Sequence, residues 1–523
     1  MSTFTAHLSK MFRFDQWVRY ILPRQEDMFF VTIFTAVVLF GPRLMNMDGD
    51  LGRHLTIGGY ILDQHAIPTH DIFSHTMYGE YLTPHEWLAQ VLFAYSYRLA
   101  GLDGVVLLSA LIIAVTFTLV FKLSIEKSGL LLAALPMTIL AAAAASVHWL
   151  ARPHIFTLLI TVIWIRELEK WRQEKQFSWW SLPLLMLVWV NIHGAFIIGL
   201  LIWGIYLVDY LLSGRAVSPP GDKNRINRLS NLFEDRQTRQ LLLLGLITFS
   251  VTMLNPAGPR VWGTTLGFLQ NDYLVSHTVE YQSPNFQITS FWPFLAMICL
   301  SILLAGWAHR RISIRGSLLL VSWTAFSLIS ARNIAIYAVI AAPILASMAG
   351  TIFREHEYFD NLCAYDSRLR AINSRLSGHA LTIAGVVIIG VLVFNKAAFT
   401  LSGAGNEFSE SVFPIKAVDW LIEHPQEKPI FNYFPWGGYL LYRNWPEQQV
   451  FIDGQTDFYG EQLTREYEKV ISMSEGWQAV LAKYGVERVI MPTNSELVLG
   501  LSGDERWSLA YEDETASVLD LNY

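Results

Sequence analysis

The chain has 523 residues, 53 % hydrophobic and only 16 % charged, with 18 Trp, 31 Phe and a net charge of −6. A soluble chain carries nearer a quarter charged residues, so a soluble globular protein is excluded, and the acidic balance offers no basic surface for nucleic acid. Two cysteines, Cys299 in a hydrophobic segment and Cys363 in a polar connection, exclude a disulfide framework.

In chain order, residues 1–27 lack a short apolar core followed by a small-residue cleavage site, which predicts a cytoplasmic N-terminus and a first segment kept as an anchor. Apolar runs follow at roughly 28–45, 104–122, 130–147, 154–168, 179–190, 195–213, 240–254, 291–308, 316–330, 333–350 and 380–396, about eleven transmembrane helices. Pro84 to Ala100 mixes apolar residues with Glu86, Gln90 and Arg98 and reads as an amphipathic helix lying on the membrane. Positive charge supports that choice. Lys122, Lys127, Arg166, Lys170, Arg172, Lys175, the six cations from Arg215 to Arg239, Arg310, Arg311, Arg315, Arg354, Arg368, Arg370 and Arg375 then all fall in connections on the cytoplasmic side.

This topology gathers the unusual polar residues outside. They are the large loop 46–103, His148, Arg152 and His154, Asn191 and His193, Asn255, the 256–290 connection with Glu280, and Arg332 with Asn333. Polar residues concentrated at one membrane face point to a functional surface. From about Phe413 the pattern becomes that of a soluble α/β unit. Strands are expected at Pro429–Tyr433, Gln449–Asp453 and Val486–Met491, helices at Glu461–Met473 and Trp477–Lys483, and a hairpin at Tyr511–Leu521. The expected fold is therefore a polytopic α-helical membrane domain over 28–396, with an extracytoplasmic α/β domain over 397–523.

The loop after the first span holds five of the chain's 14 histidines, at 54, 65, 70, 75 and 85. Asp48 is placed to cap a helix starting near Asp50, on which Asp50 shares a face with Arg53 and His54 while Leu51, Leu55 and Leu62 form an apolar face. A carboxylate beside a phosphate-binding cation suits proton abstraction coupled to group transfer; an ordinary capped amphipathic helix with a surface ion pair is the structural alternative. Thr83-Pro84-His85-Glu86 reads as a capping box, which explains Glu86 without chemistry. Asp71 lies in a turn-forming stretch as a structural or substrate-orienting residue. A divalent cation such as Mg or Mn has Asp48, Asp50 and His54, with Asp71 and His85, as candidate ligands, although no metal-binding spacing is present and none is required. Arg53, Arg152 and Arg332 are candidate phosphate ligands. His154 and His193 read first as histidines packed at helix ends. Trp436, Tyr439 and Tyr459 have the ring faces to stack on sugars, or else fill a core, and Asp453 ends an expected strand where α/β sheets hold ligands.

The run D-G-D-L-G-R-H resembles the D-x-E-x-x-R-H/N pattern of the endoplasmic-reticulum glucosyltransferases that use dolichyl-phosphate glucose, and the layout is similar to the GT-C membrane glycosyltransferases. The resemblance implies inverting transfer from a polyprenyl-phosphate sugar, with Asp48 matching the family's base, Asp50 its second acidic residue and Arg53 its basic one. F-P-W-G-G-Y-L-L-Y-R-N-W followed by V-F-I-D-G-Q-T-D resembles more loosely the W-W-D-Y-G-Y region of oligosaccharyltransferase catalytic subunits. Gly437 stands where that motif has its Asp, so recognition of a peptide sequon is not carried over. The expected function is a glycosyltransferase of a bacterial inner membrane, moving a sugar to a lipid, glycan or protein acceptor. The alternatives are a non-catalytic scaffold or lipid-glycan transporter of the same fold, and a metal-dependent lipid-phosphate hydrolase.

Overall fold

The computed structural model describes residues 19–173, 178–212, 235–307, 313–395, 405–426 and 428–522. The first 18 residues, most of the 214–239 connection with Arg215, Lys223, Arg225 and Arg228, and the cations Lys175, Arg310 and Arg311 lie outside them.

The helices run back and forth between two polar ends. Helix Trp87–Ser128 leaves one end at Glu86 and reaches the other at Lys127; Leu131–Ala145 returns to His148, and His154–Arg172 sets out again beside Arg152. The alternation continues through Ser181–Ile192, Ile197–Leu212, Arg236–Val251, Trp292–Trp307, Ile314–Ile329 and Ile334–Glu355. Among the described residues, five stretches are long and apolar enough to cross a membrane: Trp87–Ser128, Leu131–His148, Gly194–Leu212, Thr289–Trp307 and Ala331–Glu355. Three shorter apolar helices, Ser181–Ile192, Ile314–Ile329 and Ala380–Phe394, accompany them. The alanine-rich helix Leu131–Ala145 packs along Ile334–Glu355, whose Ala338, Ala341, Ala342 and Ala346 are buried. Small side chains let the two backbones approach, which is how helices associate where apolar burial gives no preference over lipid.

At the far end, charges are paired rather than stranded among apolar side chains. Glu169 accepts from Tyr206 Oη at 2.7 Å, is hydrogen-bonded to Lys127 and lies 3.1 Å from Arg315 Nη1. Asp209 accepts from Arg172 Nε at 3.2 Å and from the Arg315 backbone N–H at 3.1 Å. Of the described cations that the sequence assigns to the cytoplasmic side, Lys127, Arg172 and Arg315 join this network.

The helix Asp50–Gln64 departs from expectation. Instead of presenting one face to lipid, it buries Asp50, Arg53 and His54 as well as Leu51, Leu55, Ile57 and Ile61. It is wedged between the start of Trp87–Ser128 and a helix formed by Gly437–Asn444. A Cβ on Gly52 would stand 2.2 Å from the carbonyl oxygen of Gly438, so only glycine admits this backbone approach. The segment Pro84–Ala100 is a helix from Trp87 that breaks from the following span at Ala100–Gly101.

The C-terminal part carries a four-stranded sheet in the order β1-β2-β4-β3, with β1 Ile430–Asn432, β2 Arg488–Pro492, β3 Trp507–Glu512 and β4 Ala516–Leu521. β1 and β2 are parallel; β4 pairs antiparallel with both β2 and β3. Helices Thr456–Ile471, Trp477–Lys483 and Glu496–Ser502 cover it through Tyr459, Tyr467, Trp477 and Leu497. The strand expected at Gln449–Asp453 does not form a ladder. Its backbone is held instead by the Asn432 side chain (Phe451 N–H to Oδ1, 2.8 Å) and by the first loop (Val450 N–H to Phe73 O, 3.2 Å). Its end, Asp453, is thereby carried to the first loop.

Candidate active site

Four separate stretches converge at the near end of the helices. The turn before His154–Arg172 is pinned by the Ala151 N–H to the Leu44 carbonyl at 2.9 Å, which sets Arg152 against the loop that follows the first helices. The Nε of Arg152 lies 3.0 Å from Asp48 Oδ2, its Nη2 2.5 Å from Asp50 Oδ2 and its Nη1 3.4 Å from Glu280 Oε2. Glu280 sits on a single turn, Val279–Tyr281, which is fastened to the Arg332 turn by the Ala331 N–H donating to Gln282 O at 2.9 Å. Its other oxygen is 3.2 Å from Arg332 Nη1, so one carboxylate links two guanidinium groups. Arg332 also hydrogen-bonds the Tyr281 hydroxyl.

A second constellation lies behind. Arg53 donates to Gln455 Oε1 at 2.6 Å and to Glu86 Oε2 at 3.4 Å, and its Nε is 3.8 Å from Asp453 Oδ1. Glu86 is not the third residue of a capped helix. The helix begins one residue later, at Trp87, and the carboxylate turns to Arg53, with His193 Nε2 at 3.9 Å and His85 Nε2 at 4.0 Å. The capping-box expectation is corrected here: Thr83-Pro84-His85 forms an approach loop, and pairing with a buried guanidinium outweighs a local cap. Likewise Gly49, not Asp48, occupies the cap position of helix Asp50–Gln64 and makes no side-chain cap.

Hydrogen-bond chemistry assigns a tautomer to His193. Arg332 Nη2, 3.2 Å away, can only donate, so His193 Nε2 accepts and Nδ1–H donates to Thr157 Oγ1 at 2.9 Å. Trp189 Nε1 donates to the same oxygen at 2.9 Å. His154 donates through Nε2 to the His148 carbonyl at 2.5 Å, and His148 through Nε2 to the Ala331 carbonyl at 2.8 Å. Both candidate histidines therefore act as braces of the turns that hold Arg152 and Arg332.

The electrostatics separate the carboxylates by role. Burial pushes Asp48 up to about 7; Arg152 opposes this, while Asp50 and Glu280 add to it. Asp48 nonetheless keeps 19 % of its side chain exposed, and its Oδ2 receives no aligned hydrogen bond. Such a group exchanges a proton near neutrality and is reachable. Burial likewise lifts Asp453 to about 6 against the pull of Arg53. Glu86 and Glu280 go the other way despite their burial. His85, His54 and Arg53 bring Glu86 down to about 2, and Arg332 and Arg152 hold Glu280 below the ordinary carboxylate range. They are permanent anions that fix guanidinium groups.

Several sequence candidates stand elsewhere than expected. Trp436 and Tyr439 are core residues: Trp436 Nε1 donates to the Val412 carbonyl at 2.8 Å, and Tyr439 packs on Phe408 and Phe413, so neither ring face is free for a sugar. Tyr459 is buried too. Asp71 closes its own turn, accepting from the backbone of Phe73 and Ser74 at 3.1 Å each and from Ser74 Oγ at 2.6 Å. His54 joins neither Asp48 nor Asp50 as a ligand pair; its ring lies 6.4 Å from that of Phe93 and neither nitrogen is hydrogen-bonded. A divalent cation does not fit the expected donors, because the Asp48 and Asp50 oxygens already face Arg152, and among the described residues no group of three or more His, Cys, Asp or Glu side chains is arranged to hold a metal. Gln455, Asp457 (Oδ2 3.9 Å from His85 Nε2) and Tyr281 escaped the sequence reading. The first two stand two and four residues beyond Asp453 in D-G-Q-T-D, where spacing alone was the available signal.

An apolar cavity of about 520 Å³ adjoins the site, lined by Trp87, Leu88, Leu187, Val188, Leu254 and Pro256, with Asn191 and Asn255 as its polar residues. Trp87 follows Glu86 in the chain and donates through Nε1 to Asn191 Oδ1 at 2.8 Å, two residues from His193.

No family model matches the chain, and no curated protein sequence does. Among solved structures, the oligosaccharyltransferase AglB from Archaeoglobus fulgidus, in complex with an inhibitory peptide and a dolichol-phosphate, superposes with a TM-score of 0.57 at 12 % identity, over 89 % of this chain and 69 % of that one. The Archaeoglobus fulgidus oligosaccharyltransferase in its apo form gives 0.54 at 11 % identity, over 88 % and 69 %. ArnT from Cupriavidus metallidurans bound to undecaprenyl phosphate covers 94 % and 97 % at 15 % identity, with a TM-score of 0.47. At such identities the likeness is one of fold: this chain shares the fold of the Archaeoglobus fulgidus oligosaccharyltransferase.

Proposed function

We propose that this chain is an inverting glycosyltransferase that moves a sugar from a polyprenyl-phosphate donor to a lipid, glycan or protein acceptor at the extracytoplasmic face. A membrane domain over 28–396 would carry the reaction and an outer α/β domain over 397–523 would cover it. The observation that carries this reading is Asp48: a carboxylate about one-fifth exposed whose pKa burial raises to about 7, linked through Arg152 and Glu280 to a second guanidinium, Arg332.

The acceptor hydroxyl approaches the exposed edge of Asp48, which takes its proton as the oxygen attacks the anomeric carbon. The bond from that carbon to the phosphate oxygen breaks, and the lipid phosphate departs as an anion. Because that leaving group is stable as an anion, no general acid is required. Arg332 suits it best among the candidates, with 31 % of its side chain exposed against 4 % for Arg53; a guanidinium fork matches phosphate oxygens. Asp50 orients Arg152, and Arg53 with Glu86, Gln455 and Asp453 ties the loop to the outer domain. The apolar cavity beside Trp87 offers the start of the polyprenyl chain a place next to the charged site. The dolichol-phosphate held by the archaeal neighbour agrees with a lipid-phosphate donor.

The test incubates purified protein in detergent with a panel of radiolabelled polyprenyl-phosphate sugars and a membrane-lipid extract, comparing wild type with Asp48→Asn and Asp50→Asn. Sugar transferred by wild type and not by Asp48→Asn supports the proposal. Free sugar released to water in every condition would indicate a hydrolase instead, and donor binding unaffected by Asp48→Asn with no turnover a scaffold or transporter.

A further inference from the structure

At the end of the molecule opposite the candidate site, two segments distant in sequence are fastened side by side. The Ser377 N–H donates to the Arg19 carbonyl at 2.8 Å, Arg24 Nε to the Leu376 carbonyl at 2.8 Å, and the Gln25 N–H to Asn373 Oδ1 at 2.9 Å. A Cβ on Gly378 would stand 2.0 Å from the Tyr20 carbonyl oxygen, so the two backbones meet directly. The first segment runs into helix Gln25–Leu39. The second is the helix Asp360–Asn373 with the turn that leads to helix Ala380–Phe394. Those two apolar helices pack on each other, so both segments stand at the level where apolar helices end. Asp366 sets the rotation of helix Asp360–Asn373. It is buried, accepts from the Leu132 N–H at 2.8 Å and lies 2.9 Å from Arg370 Nε. Tyr365 and Ile372, seven residues apart and so on one face, are thereby left outside, at 56 % and 59 % exposure. Tyr20 and Ile21 on the neighbouring segment are 64 % and 46 % exposed.

Charge completes the face. Arg368 stands between Tyr365 and Ile372 at helical spacing, and Arg375 lies in the turn just beyond the helix; both are exposed. Neither has an ion pair or side-chain hydrogen bond among the described residues. The exposed acidic residues of the same connection, Glu357 and Asp360, stand at its other end. Exposed aromatic and aliphatic side chains beside unpaired arginines are what an interfacial helix presents to an anionic bilayer. The apolar groups enter the acyl boundary and the guanidinium forks meet phosphates. We infer that the face formed by Tyr20, Ile21, Tyr365, Arg368, Ile372 and Arg375 is a docking surface for anionic phospholipid headgroups in the leaflet at the cation-rich end. The face runs on into helix Ala380–Phe394, whose Leu381, Ile383, Val387 and Ile388 are exposed, and that continuity favours lipid over a protein partner. The surface is remote from Asp48 and stands independently of the proposed transfer reaction.

The test needs no activity. Full-length protein in a neutral detergent is given equimolar phosphatidylglycerol and phosphatidylcholine, and the lipids it retains are counted by native mass spectrometry. Wild type is compared with Arg368→Gln/Arg375→Gln and with Arg506→Gln, an exposed arginine of the C-terminal part, as a control for net charge. Wild type is expected to retain phosphatidylglycerol over phosphatidylcholine by at least about fivefold. The double variant should lose at least about threefold of that preference, and Arg506→Gln should keep it. No preference in wild type, an unchanged preference in the double variant, or an equal loss in Arg506→Gln would overturn the inference. A second measurement reads depth in intact protein. A nitroxide is placed at Ile372→Cys, in a background with Cys299 and Cys363 replaced, and the protein is reconstituted into vesicles of phosphatidylcholine with phosphatidylglycerol. Electron paramagnetic resonance should show the label relaxed more by oxygen than by a water-soluble nickel chelate. The reverse order would place this face in water and overturn the lipid surface. Should the double variant not fold, the wild-type competition and the nitroxide depth decide.

Discussion

Asp48 and Glu86 lie in one cluster but are pushed in opposite directions, Asp48 up to about 7 and Glu86 down to about 2, because Glu86 is surrounded by His85, His54 and Arg53 while Asp48 shares its single guanidinium with Asp50 and Glu280. In the proposed mechanism that difference gives proton transfer to Asp48 and anchoring to Glu86. Asp48→Asn is expected to lower kcat/KM for sugar transfer by about 10²–10⁴-fold with the protein still monodisperse, as befits loss of a general base. The acceptor's proton needs an ionised Asp48, and with its pKa at about 7 the ionised fraction rises as pH rises through neutrality. The rate should fall about tenfold per unit below pH 7 and level off above it, read from kcat/KM between pH 5 and 9. The loop candidates were legible from the sequence because D-G-D-L-G-R-H concentrates unlike charges within seven residues. Glu280 was placed on the outer face but not beside Arg152, and Gln455 and Asp457 were not singled out, since all three reach the cluster only through tertiary packing that no local spacing encodes.

At the scale of elements, the helix Asp50–Gln64 holds its place through a glycine contact rather than through an amphipathic face. Gly52→Val would drive side-chain atoms into the Gly438 carbonyl and is expected to cost about 1–3 kcal/mol, seen as a lower apparent Tm and lost expression. Gly59→Ala, in the same helix with open space around it, should be neutral or slightly stabilising. The sequence pattern identified this helix and the strands at Ile430–Asn432 and Arg488–Pro492, as well as the final hairpin, because period and turn residues report local structure. It misassigned Gln449–Asp453, whose apolar run satisfies its backbone through the Asn432 side chain rather than a ladder. It also read Thr83–Glu86 as a cap, since a local hydrogen bond looks sufficient until Arg53 arrives from elsewhere. The aromatic residues of the W-G-G-Y stretch have the composition of a sugar platform but are packed inward by Phe408 and Phe413.

Across the whole molecule, the helices separate two polar ends, one holding the candidate site and the other the network of Lys127, Glu169, Arg315, Arg172 and Asp209. The cation-rich end is expected to face the cytoplasm. In a background with Cys299 and Cys363 replaced, cysteine at exposed Val279 or Leu499 should react with an impermeant maleimide on intact cells, and cysteine at exposed Tyr358 only after permeabilisation. The opposite pattern would put the site on the wrong side for an extracytoplasmic donor. Hydropathy reveals that the chain is a membrane protein, because apolar runs are a local property; the meeting of Asp48, Arg152, Glu280 and Arg332 depends on how the helices pack. The most direct measurement of the central claim is the anomeric configuration of the product, determined by NMR after transfer from a donor of known configuration by wild type and by Asp48→Asn. Direct displacement with Asp48 as base predicts an inverted linkage from wild type and a rate at least about 10²-fold lower from the variant. A retained linkage, or an inverted product formed at the wild-type rate by Asp48→Asn, would contradict it.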